Sequence, residues 1–147
     1  MKALVQRVKS AGVTICGETP VTRTIGKGMM ILFGVAVGDT PEQARKLADR
    51  CVKLRCFEDA DGKMNCSVQE ISGEILVVSQ FTLCADTSRG NRPSFSGAAR
   101  PEEAIPCYEA FVSRLREYGF PVPTGEFGAE MLVDIQNDGP VTLMLEL

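Results

Sequence analysis

Apolar and polar positions alternate from Lys2 to Ser10, with Ala3, Val5 and Arg7 on one face and Leu4, Gln6 and Val8 on the other. That two-residue period predicts a strand. Val13-Thr14-Ile15-Cys16 resumes after Gly12, which predicts a short hairpin there. Val21 to Ile25 reads as a further strand, closed by Gly26-Lys27-Gly28, and the unbroken apolar run Met29 to Val37 reads as a buried central strand. Thr40-Pro41-Glu42-Gln43 has the pattern of a capping box with proline at the first helical position. Ala44, Leu47, Ala48, Cys51 and Leu54 follow at helical spacing, so a helix is predicted to about Cys56. Glu58 to Lys63 lacks the full ligand pattern of a calcium loop and is expected to be a solvated turn. Glu74 to Leu83 begins as a buried strand and becomes polar, and Asp86 to Gly97 is a polar loop.

Pro101-Glu102-Glu103 opens a second helical pattern, with Ala104, Ile105, Tyr108, Phe111, Val112, Leu115 and Tyr118 on its apolar face and Gly119 as its stop. Pro106 either kinks its first turns or moves its start toward Ile105. Pro121 to Thr124 is an extended connector. Met131 to Ile135 and Val141 to Leu147 are the last strands, and the Asn137-Asp138-Gly139-Pro140-Val141-Thr142 stretch between them reads as a tight turn. The expected fold is α+β: one β-rich domain over residues 1–147, a mostly antiparallel sheet or open barrel with two main helices packed on it.

The 147 residues are 44% hydrophobic and 24% charged, which suits one soluble domain with a real core. No apolar run approaches the ~18 residues of a membrane span, and the opening Met1 to Arg7 reads as a strand rather than a signal peptide, so a cytoplasmic location away from any membrane is expected. The six cysteines include no C-x-x-C pair, so no metal site and no cofactor is expected. There is no histidine, which excludes Ser-His-Asp and Cys-His catalysis. The net charge of −3 argues against a broad phosphate-binding surface but not against a grip on one terminal nucleotide.

Candidate chemistry gathers at Ser79-Gln80-Phe81-Thr82-Leu83, where an apolar strand turns polar. A regular strand would put Ser79, Phe81 and Leu83 on one face and Gln80 and Thr82 on the other. The stretch is either a strand leaving the core or a polar cluster whose N–H groups face a carbonyl or phosphate.

Ser79-Gln80-Phe81-Thr82-Leu83 and Asn137-Asp138-Gly139-Pro140-Val141-Thr142 together resemble the two signature motifs of the D-aminoacyl-tRNA deacylase family. The likeness extends to Gln6-Arg7-Val8, to Gly90-Asn91-Arg92-Pro93-Ser94-Phe95 and to Thr124-Gly125-Glu126-Phe127-Gly128-Ala129, and so covers essentially the whole chain. The resemblance implies a homodimer with its active site at the subunit interface, which hydrolyses the ester joining a D-amino acid to the 3′ end of an aminoacylated tRNA. It implies that Ser79, Gln80, Phe81 (through its backbone) and Thr82 hold the reacting ester. Thr82 acts either as nucleophile or, in the reading favoured here, as a positioning group while the 2′-hydroxyl of the terminal adenosine assists. It implies a chiral filter of Gly139 and Pro140, joined by a cis bond and set by Arg7, Asn137, Val141 and Thr142. That filter excludes L side chains and so leaves glycine as a possible substrate. Phe95, Arg92, Phe127 and Met131 are the implied adenosine and tRNA contacts, although Arg7 also reads as a surface arginine and Phe127 and Met131 as core. Lys27, Arg89, Arg92 and Arg100 are candidates for a phosphate-binding patch. Two alternatives stand beside this: a sister deacylase for mischarged L-alanyl-tRNA, and a non-catalytic nucleic-acid-binding module on the same fold.

Overall fold

β1 (Lys2–Ile15) runs through the molecule without a break, and the rest of the sheet is hung on it. The computed structural model describes every residue from Met1 to Leu147. Along one side of β1, Ala11 to Ile15 pair antiparallel with β2 (Val21–Ile25), and Lys2 to Val8 pair antiparallel with β3 (Gly28–Gly34). The hairpin expected at Gly12 is therefore absent. Gly12 lies inside the strand, opposite Thr24 on one side and Asp134 on the other. Burial decides against the local turn signal: Ala11, Val13 and Ile15 all bury, which holds the chain extended through the glycine. The reversal falls instead between Ile15 and Val21.

The capping box forms as expected at the start of α1 (Pro41–Val52): the Gln43 backbone N–H donates to Thr40 Oγ1 at 3.3 Å, and the Thr40 N–H donates to Gln43 Oε1 at 2.8 Å. The helix ends at Val52, short of Cys56; Leu54 continues the apolar pattern from the following turn, where it packs against the core. A small hairpin, β4 (Phe57–Glu58) with β5 (Met64–Cys66), precedes β6 (Glu74–Ser79). β6 pairs parallel with β3, from Gly28 opposite Glu74 to Phe33 opposite Ser79. The helical crossover makes this one parallel pair possible in a sheet otherwise antiparallel.

Both strands of that pair are buried on both faces. Met29, Ile31, Phe33, Ile75 and Val77 face α1 and α2 (Pro101–Glu117) in a core of 25 residues. Met30, Leu76 and Val78 face a second core with Val8, Ala11, Val13 and Ile25. A mixed sheet curled into a half-barrel, with two helices outside it, satisfies both cores at once. α2 starts at Pro101 and passes through the exposed Pro106 without stopping. Arg114 on α2 ties it to α1 by donating to Asp49 at 2.6 Å, and this bond holds the Asp49 carboxyl below the usual carboxylate range. All six cysteines are free, and burial pushes the Cys51 thiol up to about 12.

β6 stops at Ser79 rather than running to Leu83. Phe81–Cys84 forms a 3₁₀ turn, so the strand alternation expected for Phe81, Thr82 and Leu83 does not hold. The tight turn expected at Asn137 to Thr142 is likewise absent. β7 (Met131–Glu146) is one long strand antiparallel to β1, from Ile15 opposite Met131 to Lys2 opposite Glu146. Val8 pairs with Asn137 and Gln6 with Thr142, which leaves Arg7 alone facing Asp138 to Val141. The residues that look like a hairpin turn thus form a wide bulge, a kind of irregularity that re-aims a strand without reversing it.

Candidate active site

The turn after β6 is fixed at its first residue: the Gln80 N–H donates to Phe33 O at 2.8 Å, anchoring the chain to the end of β3. Leu83 N–H then donates to Gln80 O, and Ala85 N–H to Thr82 O. The N–H groups of Phe81 and Thr82 meet no acceptor in the chain, as the first donors of a helical turn do. The Gln80 side-chain amide donates to Thr82 Oγ1 at 2.5 Å. That bond occupies a lone pair of the hydroxyl, and it is the one side-chain hydrogen bond that Thr82 makes within its own chain.

Beside this turn lies a cavity of about 290 Å³, lined by Phe33, Val35, Val78, Ser79, Gln80 and Phe81 on the sheet side. Ala99, Ala104, Phe127, Gly128, Ala129, Met131 and Val133 complete it. Five residues chosen from the sequence thus converge: Ser79, Gln80 and Phe81 meet Phe127 and Met131 at one opening, while Thr82 lies outside its lining. Phe127 is also backed by Tyr108 of α2, with ring centroids 6.2 Å apart. Tyr108 donates to Val77 O at 3.2 Å, which ties α2 to β6 behind Phe127, and burial pushes its phenol up to about 12. Phe95 is not in the wall but meets Phe81 edge-on at its rim, and Arg92 stands in the exposed loop beyond. Val35 and Ala104 read in the sequence only as core positions, and Ala99 carries no signal at all, because small apolar residues have no chemical signature.

The second motif is built around a buried arginine. Arg7 is only 7% exposed. Its Nε donates to Asp138 O at 3.1 Å and its Nη1 to Cys56 O at 2.9 Å, while the Asp138 and Glu58 carboxylates stand 3.7 and 4.0 Å away. Asn137 closes the bulge from within: Oδ1 accepts the Val141 N–H at 3.2 Å, and Nδ2 donates to Thr142 Oγ1 at 2.8 Å. Gly139 has φ +118°, a region that favours glycine, and a Cβ there would lie 3.0 Å from both Arg7 Nη2 and Val141 Cγ2. The Gly139–Pro140 bond is cis, and both residues are exposed.

The chain does not bring its two motifs together. Val133 lines the cavity, and Gly139 lies six residues farther along the same strand. At about 3.3 Å per strand residue, the bulge is roughly 15–20 Å from the cavity wall. Lys27 is also remote. It precedes Gly28, which pairs with Glu74 at the opposite end of β6 from Ser79, so it cannot share a patch with Arg89, Arg92 and Arg100. Its inclusion in that patch is corrected by the register.

The family model described as D-Tyr-tRNA(Tyr) deacylase matches residues 4–146. A D-aminoacyl-tRNA deacylase of Dehalococcoides mccartyi is 53% identical over 99% of this chain and 94% of its own length. One from Alteromonas mediterranea is 53% identical over 97% of both. Among solved structures, a c-Myc DNA unwinding element binding protein aligns over 100% of this chain and 99% of its own, with TM-score 0.90 and 42% identity. A probable eukaryotic D-amino acid tRNA deacylase shares the fold, with TM-score 0.80 at 18% identity over 99% of this chain and 98% of its own. The kinship makes this chain a hydrolase. It belongs to the D-aminoacyl-tRNA deacylase family.

Proposed function

We propose that the cavity receives the terminal aminoacyl-adenosine of a D-aminoacyl-tRNA, and that the enzyme cleaves the ester by positioning it and stabilising the oxyanion. The observation that carries this is the pair of unpartnered N–H groups of Phe81, which lines an apolar cavity without a titratable side chain, and of Thr82, the next residue of the turn. An aminoacyl ester is already activated, so preorganised donors can supply much of the rate; removing one such donor typically costs about 3–4 kcal/mol. Water adds to the ester carbonyl and gives a tetrahedral oxyanion that accepts from these two donors. The carbon–oxygen bond to the ribose then breaks, and the 3′-oxygen takes up a proton relayed by the neighbouring 2′-hydroxyl. The products are the free amino acid and the 3′-hydroxyl of the tRNA.

The protein works as a homodimer in the cytoplasm. Each subunit's Gly139–Pro140 enters its partner's cavity and holds the substrate amino group through carbonyls. An L side chain then has no space, and glycine, which has no side chain, is accepted. Two observations support a shared site. The bulge cannot reach the cavity of its own chain. β7 also has a free outer edge with Leu132, Val133, Ile135, Leu143 and Met144 exposed, an arrangement that soluble monomers rarely leave open.

The test is deacylation of D-aminoacyl-, L-aminoacyl- and glycyl-tRNA by the purified protein. Release of D-amino acids and glycine with L-esters spared is expected. Cleavage of L-alanyl-tRNA without D-cleavage would replace this reading with the sister specificity, and no cleavage of any would leave a binding module.

A further inference from the structure

From Thr87 to Arg100 the chain carries Arg89, Arg92 and Arg100 and no acidic residue, within a protein of net charge −3. The first part of this segment is a closed finger. Asp86 and Ser94 exchange backbone hydrogen bonds of 2.8 and 2.9 Å at its base, and the Asp86 carboxylate accepts the Ser88 N–H at 2.9 Å. Arg89 and Arg92 stand on the exposed part of the finger, and neither pairs with any carboxylate of the chain. Directly after the finger, the Phe95 ring meets Phe81 with centroids 5.1 Å apart and planes at 67°. Phe95 is 39% exposed and Phe81 54%, so the pair adds little to either core. Phe81 also belongs to the cavity wall. One aromatic surface therefore runs from the cavity over its rim and ends beside two uncompensated arginines.

We infer that Phe95, Arg89 and Arg92 form a subsite for the nucleotide immediately 5′ of the terminal adenosine. This rests on the reading that the cavity holds that adenosine. For a single strand whose last residue lies in the cavity, the exposed Phe81–Phe95 pair offers a continuous aromatic path outward to the arginines. Stacking on an aromatic ring tolerates any base, and arginines neutralise the phosphates on either side. The subsite grips the common single-stranded end of tRNAs without reading the amino acid, so chiral selection and RNA grip reside in separate residues.

The test compares D-aminoacyl-tRNA with D-aminoacyl-adenosine, which lacks the preceding nucleotides. Phe95→Ala should lower kcat/KM on the tRNA more than on the adenosine ester by about tenfold, the scale of one lost base stack. Phe95→Tyr should restore the ratio. A second arm measures binding of the trinucleotide C-C-A against adenosine monophosphate at several salt concentrations. The Arg89→Ala/Arg92→Ala variant should flatten the salt dependence of C-C-A binding by about 0.7 in log–log slope per lost phosphate contact. Equal losses on both substrates, or an unchanged preference for C-C-A, would overturn the subsite. A wild-type protein that cleaves neither ester would refute the deacylase reading instead, and the binding arm would still judge the subsite.

Discussion

A Gly139→Ala enzyme is expected to lose hydrolysis of D-aminoacyl-tRNA by about a hundredfold, the scale set by an ångström-sized misplacement of a positioning group. At φ +118° an L residue is strained, and its Cβ would press at 3.0 Å on Arg7 Nη2 and Val141 Cγ2. Strain of this kind costs about 1–3 kcal/mol and is relieved by moving the local backbone. Arg7 cannot yield easily, because it is buried and bound to Cys56 O and Asp138 O. The bulge must shift instead, and with it the carbonyls proposed to hold the substrate. Gly139 and Pro140 are exposed and only Val141 of the bulge packs against the larger core, so the thermal transition should fall only modestly. Steady-state kinetics beside a melting curve separate the two effects; a variant with wild-type turnover would remove the bulge from the site.

The chemistry predicts a second large effect, this time from the substrate. A D-aminoacyl-tRNA whose terminal ribose lacks the 2′-hydroxyl should be cleaved about 10²–10⁴-fold more slowly, the usual contribution of a positioned proton-transfer group. Thr82→Ala should cost far less, because its hydroxyl accepts from Gln80 and makes no other side-chain hydrogen bond within its own chain. Single-turnover rates on the two substrates with the two enzymes give the comparison. Near-total loss in Thr82→Ala with substrate binding intact, and little loss on the deoxy substrate, would make Thr82 the nucleophile and overturn the substrate-assisted mechanism.

The parts of this molecule that follow local rules were legible in its sequence. The Thr40–Gln43 capping box and the helix that opens at Pro101 appear as their patterns foretell, and the doubly buried run forms β3 but stops at Gly34, short of the exposed Val37. Gly12 and Asn137-Asp138-Gly139 carry turn residues, yet Gly12 lies in a strand paired on both sides, and Asn137-Asp138-Gly139 open a bulge between two stretches of β7 that both pair with β1. A two-residue period shows which positions face a core but says nothing of which strand lies alongside, so the pairing of β7 with β1 could not be read. The end of β6 is hidden in the sequence because Phe81 and Leu83 keep an apolar alternation after the chain has entered a 3₁₀ turn. Lys27 was grouped with the loop arginines by charge alone, and only register separates them. The motif residues themselves were found through resemblance; the small residues that give the cavity its shape were not.

The central claim is that one subunit's bulge completes the other's cavity, and mixing two defective enzymes tests it most directly. Ala129→Trp fills the cavity, and Gly139→Ala displaces the bulge; each homodimer should be nearly inactive. When the two are unfolded together and refolded as a mixture, about half of the dimers are mixed in a two-fold assembly. In each mixed dimer one site carries both defects and the other carries neither, so activity should return to about a quarter of the wild-type level. If each subunit built its own site, every site in the mixture would keep one defect, and the absence of any recovery in dimers verified to be mixed would contradict the account.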